Sequence, residues 1–197
     1  MCTRYIAQPM RAEIAHLFDA RLNGEDGPVS ELFPGRDGPV IGLAKDGTRG
    51  LSLMRWGFPP PAGVKAPVVN VRNYASPFWR SALANPQRRC LVPVSRFCEW
   101  ETMADSRKVP RWFSVPSRAM FAFAGIWRPL TGEGGPGACY AFLTCAPNPL
   151  VGPIHPKAMP VILHKEDEQR WLTAPIDDAL ALAQPFPSQL MALADIA

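Results

Sequence analysis

The stretch Arg89-Cys90-Leu91-Val92-Pro93-Val94-Ser95-Arg96-Phe97-Cys98-Glu99-Trp100 reads as two strand-like pieces in direct succession. Working outward, the pattern repeats on both sides. Residues 110–127 alternate as two further strands, with Trp112, Phe113, Phe121 and Phe123 as core candidates. Cys139 to Thr144 is strongly strand-like, and Pro160 to Leu163 resumes a strand after a proline-rich passage from Cys145 to Met159. Towards the N-terminus, Pro39 to Leu43 and Gly50 to Phe58 are strands joined by a Lys45-Asp46-Gly47-Thr48 hairpin turn. Pro67 to Asn73 is a short apolar run that turns polar, and residues 1–9 alternate loosely as a strand able to pin down the terminus. Helices are few and short. Ser76 to Leu83 has Ser76 as N-cap and Pro77 at the first helical position. Met10 to Leu22 carries Ile14, Leu17, Phe18 and Leu22 at amphipathic spacing, and Lys165 to Leu172 is a third helix. Asn23 to Gly38 reads as a loop, and Thr131 to Gly137 as a Gly-rich turn without a phosphate-loop pattern.

These elements predict an α+β fold: a single compact domain over 1–197, dominated by β-strands as a barrel or bifurcated sheet, with short peripheral helices. Residues 173–197 are expected as a peripheral tail with one or two helices. The composition agrees. Among 197 residues, 23 prolines and 15 glycines argue for many short elements joined by turns. No run approaches 18 apolar residues, and the N-terminus has no signal-like apolar region, so no membrane partner and a cytoplasmic location are expected. Five scattered cysteines without a C-x-x-C pair, and only three histidines, give no zinc spacing; they read as reduced thiols, mostly core filler, with no metal and no cofactor. Between Val64 and Leu130 stand eleven Lys/Arg against three Asp/Glu, a net of +8, which suits a phosphate-bearing partner.

Several polar residues sit at the ends of apolar runs. Glu99 follows Phe97-Cys98 and precedes Trp100, which places a carboxylate against an apolar wall, where burial raises its pKa and suits it to proton transfer. His155 lies between Pro153 and Pro156, which fix where its ring points. Asn70 and Arg72 are two apart and share a face if the strand continues. At the terminus, loss of Met1 leaves Cys2 with a free α-amine and a thiol. This 1,2-aminothiol condenses with an aldehyde to an imine and closes to a thiazolidine. With ordinary pKa values of about 7.7–8.0 and 8.5, both groups are reactive near neutrality in an electropositive setting.

The order and context of these residues resemble the SRAP family, the SOS-response-associated peptidases that include the sensor of abasic sites in single-stranded DNA. The family opening Met-Cys-Gly-Arg-Tyr is Met1-Cys2-Thr3-Arg4-Tyr5 here, and Trp-Gly-Leu-x-Pro is Trp56-Gly57-Phe58-Pro59-Pro60. Asn-Ala-Arg appears as Asn70-Val71-Arg72, and the Arg-Cys-Leu-x-Pro and Phe-Tyr-Glu-Trp run as Arg89 to Pro93 and Phe97 to Trp100. Ala-Gly-Leu-Trp corresponds to Ala124-Gly125-Ile126-Trp127. The closing motifs are similar to Thr144-Cys145-Ala146-Pro147-Asn148 and to His155 through Leu163. The resemblance covers roughly residues 1–172.

The resemblance implies that Cys2 becomes N-terminal and traps the aldehyde of an abasic deoxyribose. Asn70 would hold that residue and the sugar, and Glu99 and His155 would assist proton transfer. Arg4, Arg72 and Lys157 would contact the DNA, while Trp56 and Phe58, beside the Pro59-Pro60-Pro61 lip, would offer surfaces to neighbouring bases. A monomer is expected. The chain departs from the family pattern at Thr3 (for Gly), at Cys98 (for Tyr), at Asn73-Tyr74 after the Asn-Ala-Arg motif, and in a histidine motif lengthened by one residue with Lys157 for Arg. A glycine at Thr3 would permit positive φ, and a lysine lacks the planar fork of an arginine. Two alternatives stay open: a thiol peptidase with Cys2 as nucleophile and His155 as base, extending no further than self-release of Met1, or a non-covalent single-stranded DNA-binding module.

Overall fold

The computed structural model describes residues 2–130 and 137–194. The Arg89–Trp100 stretch forms β7 (Arg89–Val94) and β8 (Arg96–Thr102), which hand the chain from one sheet to another at Ser95. Upstream lie β1 (Tyr5–Ile6), α1 (Arg11–Leu17), β2 (Ala20–Leu22), β3 (Glu31–Leu32), β4 (Asp37–Leu43), β5 (Arg49–Trp56), β6 (Asn70–Val71) and α2 (Pro77–Ala84). Downstream lie β9 (Lys108–Ser114), β10 (Phe121–Leu130), β11 (Gly137–Cys145), β12 (Met159–Pro160), β13 (Ile162–Leu163), α3 (Glu168–Thr173), α4 (Ile176–Leu180) and β14 (Ala192–Ala194).

Strands β11-β10-β7-β4-β5 run in that order, and β5 then pairs in parallel with β11 through Arg55↔Cys139 and Trp56↔Tyr140. That pairing closes a five-stranded barrel, which removes the open edges of the sheet. Rings from alternating positions fill it: Trp56, Phe123, Tyr140 and Phe142 are all fully buried. Beside the barrel stands a second sheet in the order β14-β9-β8-β1-β3. Phe97 and Phe113, cross-strand partners on its inner face, stack at 5.1 Å, and Phe97 also meets Phe123 of the barrel at 5.7 Å. The α+β, strand-dominated reading with short helices therefore holds. Among the described residues no helix is long and apolar enough to cross a membrane.

The helix over Met10 to Leu22 is shorter than its spacing suggested. α1 ends at Leu17, Asp19 takes a left-handed conformation (φ 51°), and Ala20–Leu22 turns into a strand parallel to β5. Ile14 and Phe18 do face the core, but Leu22 reaches it from a strand. The loop over Asn23 to Gly38 contains β3, because Glu31–Leu32 pairs with Tyr5–Ile6. The tail is not peripheral: β14 extends the second sheet along β9 through Leu193↔Phe113, and Phe186 and Met191 are buried. By contrast, Ser76 Oγ accepts from Phe78 N at 3.3 Å and Pro77 opens α2, as its sequence predicts. Trp112, Phe113, Phe121 and Phe123 are core residues, and all five cysteines are buried and free. Most of the Gly-rich turn at Thr131 to Gly137 lies outside the described residues.

Candidate active site

The N-terminal strand is held from both sides. β1 pairs with β8 (Tyr5↔Phe97) and with β3 (Tyr5↔Leu32), and the Tyr5 ring sits in the core with its hydroxyl bonded to that of Tyr140. Tyr5 packs 5.1 Å from Trp56 and 6.2 Å from Phe123. This anchor fixes Cys2 three residues away. Asn70, at the start of β6, donates from Nδ2 to the Cys2 carbonyl at 3.0 Å. Its Oδ1 is buried with no hydrogen-bond partner among the described residues, which leaves an acceptor beside Cys2. β6 is placed by its parallel pairing with β11 (Asn70↔Phe142).

Glu99 comes from β8 with 1% of its surface exposed. Desolvation pushes its carboxyl up to about 7 from an ordinary 4.5, with the amino-terminal charge acting the other way. His155 Nδ1 stands 3.8 Å from Glu99 Oε2, longer than a hydrogen bond and an ion pair only when the ring is protonated. Burial, the amino-terminal charge and Lys157 hold that ring below its ordinary value. His155 is positioned by a turn rather than by its flanking prolines alone. Asn148 Oδ1 accepts from Leu150 N at 3.1 Å and Val151 N at 2.9 Å, and His155 N donates to Val151 O at 2.8 Å. Asn148 Nδ2 in turn donates to Phe186 O at 2.7 Å, so the tail braces this turn.

The Cys2 thiol differs from the expected electropositive setting. It is fully buried, its Sγ lies 3.5 Å from Arg4 O, and desolvation followed by the Glu99 carboxylate raises it well above the ordinary thiol range. The thiol is therefore protonated at neutral pH, and Glu99 is the adjacent group poised to exchange a proton near 7. Thr3 is not strained: among the described non-glycine residues only Asp19 and Ser106 have positive φ.

Above this centre lies a cleft of about 390 Å³ lined by Glu99, Trp100, Thr102, Lys108, Ile154, His155, Pro156 and Lys157. Cys2, Asn70, Glu99 and His155 are thus brought together, with Lys157 on the rim. Arg4 lies nearby on the second sheet, ion-paired with Glu31, its guanidinium 5.0 Å from the Trp112 ring, 5.5 Å from Phe33 and 5.9 Å from Trp100. Arg72 is exposed and donates to Cys145 O at 2.7 Å; β6 ends at Val71, so Arg72 does not share the buried face of Asn70.

Trp56 and Phe58 do not line the cleft. Both are fully buried, Trp56 with its Nε1 donating to Val69 O at 3.2 Å and Phe58 beneath the Arg128 guanidinium at 4.4 Å. Barrel closure through Trp56↔Tyr140 takes Trp56 inward, so neither ring has a face to offer a base. The exposed aromatics are instead Trp100 (36%) and Phe33 (42%). Trp100 stood in the quoted motif beside Glu99, and strand alternation away from a buried Glu99 is the signal that could have found it. Nothing local in the sequence pointed to Lys108 or to the bracing role of Asn148. Among the described residues no group of three or more His, Cys, Asp or Glu side chains is gathered as metal ligands would be.

Comparison with known proteins places the chain in a family and shows its fold elsewhere. The model of the SOS response associated peptidase (SRAP) family matches residues 1–197, and the chain belongs to that family. It is 31% identical over 182 residues to abasic site processing protein YoqW of Bacillus subtilis, covering 85% of this chain and 78% of that protein. It is 30% identical over 186 residues to abasic site processing protein YoaM of the same organism, covering 87% and 79%. A solved protein from Bordetella bronchiseptica shares the fold with a TM-score of 0.83 at 24% identity over the whole of both chains. One from Bacteroides thetaiotaomicron does so with a TM-score of 0.81 at 19% identity, covering 98% of this chain and 90% of that one.

Proposed function

We propose that this protein traps abasic sites in single-stranded DNA as a covalent thiazolidine on Cys2, once Met1 has been removed. The observation that carries the reading is the convergence on Cys2 of Asn70, which grips its carbonyl at 3.0 Å, and Glu99, whose carboxyl titrates at about 7. The names of the relatives, abasic site processing proteins, support the substrate. The chemistry follows in two steps. The Cys2 α-amine adds to the aldehyde carbon of the ring-opened deoxyribose, and water leaves to give an imine. The Cys2 sulfur then bonds to that carbon while its proton passes to the imine nitrogen, closing the five-membered ring.

The side chains divide this work. Asn70 orients the residue, with its buried Oδ1 free to accept from the new α-amine. Glu99 relays the thiol proton, which the thiol does not release unaided because burial holds it. His155 serves the sugar, as the proton donor and acceptor for opening its ring. The trapped lesion no longer bears a free aldehyde, so the strand is shielded from elimination.

The peptidase alternative draws on the family's name, and burial of the Cys2 thiol, which favours its protonated form, counts against it as a free thiolate nucleophile. Intact mass decides the prerequisite: the purified protein should lack Met1, and a protein that keeps it has no α-amine on Cys2. The same mass measurement, made after incubation with an aldehyde such as free 2-deoxyribose, should show one adduct less one water on the wild type. Cys2→Ala should show none.

A further inference from the structure

We infer that Lys108 and Lys157, on the two walls of the Glu99–His155 cleft, form a clamp for the phosphodiesters on either side of the sugar held there. This rests on the function proposed above and assigns to it a residue, Lys108, that lies in none of the matching motifs.

The argument begins with the cations around the site. Three of them are neutralised by a carboxylate, Arg4 by Glu31, Arg107 by Asp105 at 2.5 Å and Arg111 by Glu101 at 2.6 Å, and Arg72 is held by the Cys145 carbonyl. Lys108 and Lys157 have no ion-pair partner among the described residues, and both line the cleft. The carboxylate in that lining is Glu99, which lies at the buried end and is largely protonated below pH 7. A cleft lined by two ammonium groups without a carboxylate paired to them favours an anionic occupant.

Placement supports two separate contacts rather than one. Lys108 belongs to the wall built by the β8–β9 hairpin, where it stands opposite Thr102 in register, next to the pair Trp100↔Pro110. Strand alternation puts Trp100, Thr102 and Lys108 on one face of that hairpin, and all three line the cleft. Lys157 belongs to the other wall, in the irregular segment with Ile154, His155 and Pro156, and is close enough to depress the His155 ring. A nucleotide lacking its base has a sugar small enough to enter between such walls and a phosphodiester on each side of it. Lysine suits this use as a flexible point charge, where a fixed fork is not required.

The test measures binding of a single-stranded oligonucleotide carrying one tetrahydrofuran abasic analogue, which has no aldehyde to react, to the full chain at several salt concentrations. Each lost phosphate contact lowers the slope of log affinity against log salt by about 0.7, which corresponds to about fivefold weaker binding at 0.1 M salt. Lys108→Gln should show that loss, Lys108→Arg should restore it, and the Lys108→Gln, Lys157→Gln double variant should lose about 1.4 in slope. Lys45→Gln, on the exposed turn after β4, should bind as the wild type does. Wild-type affinity and slope in Lys108→Gln, or an equal loss in Lys45→Gln, would overturn the clamp. The two readings fail separately. A wild type that forms no covalent product while Lys108→Gln still loses slope sinks the thiazolidine and keeps the clamp, and the reverse outcome does the opposite.

Discussion

A carboxyl on β8 with 1% of its surface exposed holds its proton more tightly in the folded chain than in the unfolded one. The sign of its effect on stability follows. Between about pH 4.5 and about 7, the folded protein keeps a proton on Glu99 that the unfolded chain has released. Folding stability therefore falls as pH rises through that window. Glu99→Gln, uncharged at every pH, should remove this slope, so its melting temperature should exceed that of the wild type at pH 8 and approach it at pH 4.5. Its rate of reaction with an aldehyde should fall, because the thiol loses its proton relay, and should depend less on pH between 6 and 8. A melting profile that parallels the wild type would show that Glu99 titrates normally. Asn70 acts differently. Asn70→Ala deletes the bond to the Cys2 carbonyl and should cost about 1 kcal/mol of stability, measured by denaturant titration. It should slow adduct formation with any aldehyde, phosphate-bearing or not, since its loss loosens Cys2 itself.

Among the elements, the turn from Asn148 to His155 connects the tail to the chemistry. Asn148 satisfies two backbone N–H groups and reaches Phe186 O, so Asn148→Ala strands buried polar groups, at a cost of about 1–3 kcal/mol each. The variant should melt lower and react more slowly through a displaced His155, while its salt slope for DNA binding stays near that of the wild type. Truncation before Ser188, which removes Met191 and β14, should likewise lower the melting temperature, where a merely peripheral tail would leave it unchanged. The elements also show what could be read from the sequence. Ser76-Pro77 and the Asp46-Gly47 turn are local signals, and each produced its element. The two strands over Arg89 to Trp100 were legible as short strand-like runs, and the aromatic core of β9 and β10 followed from alternation. What alternation could not reveal were the two- and three-residue strands β2, β3 and β14. Their existence depends on a distant partner (β5, β1 and β9) rather than on their own residues.

For the whole molecule, barrel closure decided where the aromatics went. Trp56 and Phe58 carry the same motif whether buried or exposed; the long-range β5–β11 pairing takes Trp56 inside, and the Phe58–Val68 bridge with the cover of Arg128 buries Phe58. Trp56→Ala should therefore destabilise the fold by about 3–5 kcal/mol, as large core truncations do; an unchanged melting temperature with weakened DNA binding would restore it to the surface. Cys2, Asn70, Glu99 and His155, scattered over more than 150 residues of sequence, meet because β1, β6 and β8 and the braced turn all converge beside the barrel. Covalency at that meeting point is the central claim. It is tested most directly by incubating the protein, its Met1 removed, with single-stranded DNA carrying one abasic site, then denaturing the mixture and separating it by mass. The account predicts a denaturation-resistant protein–DNA product with the wild type and none with Cys2→Ala. A wild type that yields no such product at any pH from 6 to 8, or a Cys2→Ala variant that yields as much, would contradict it.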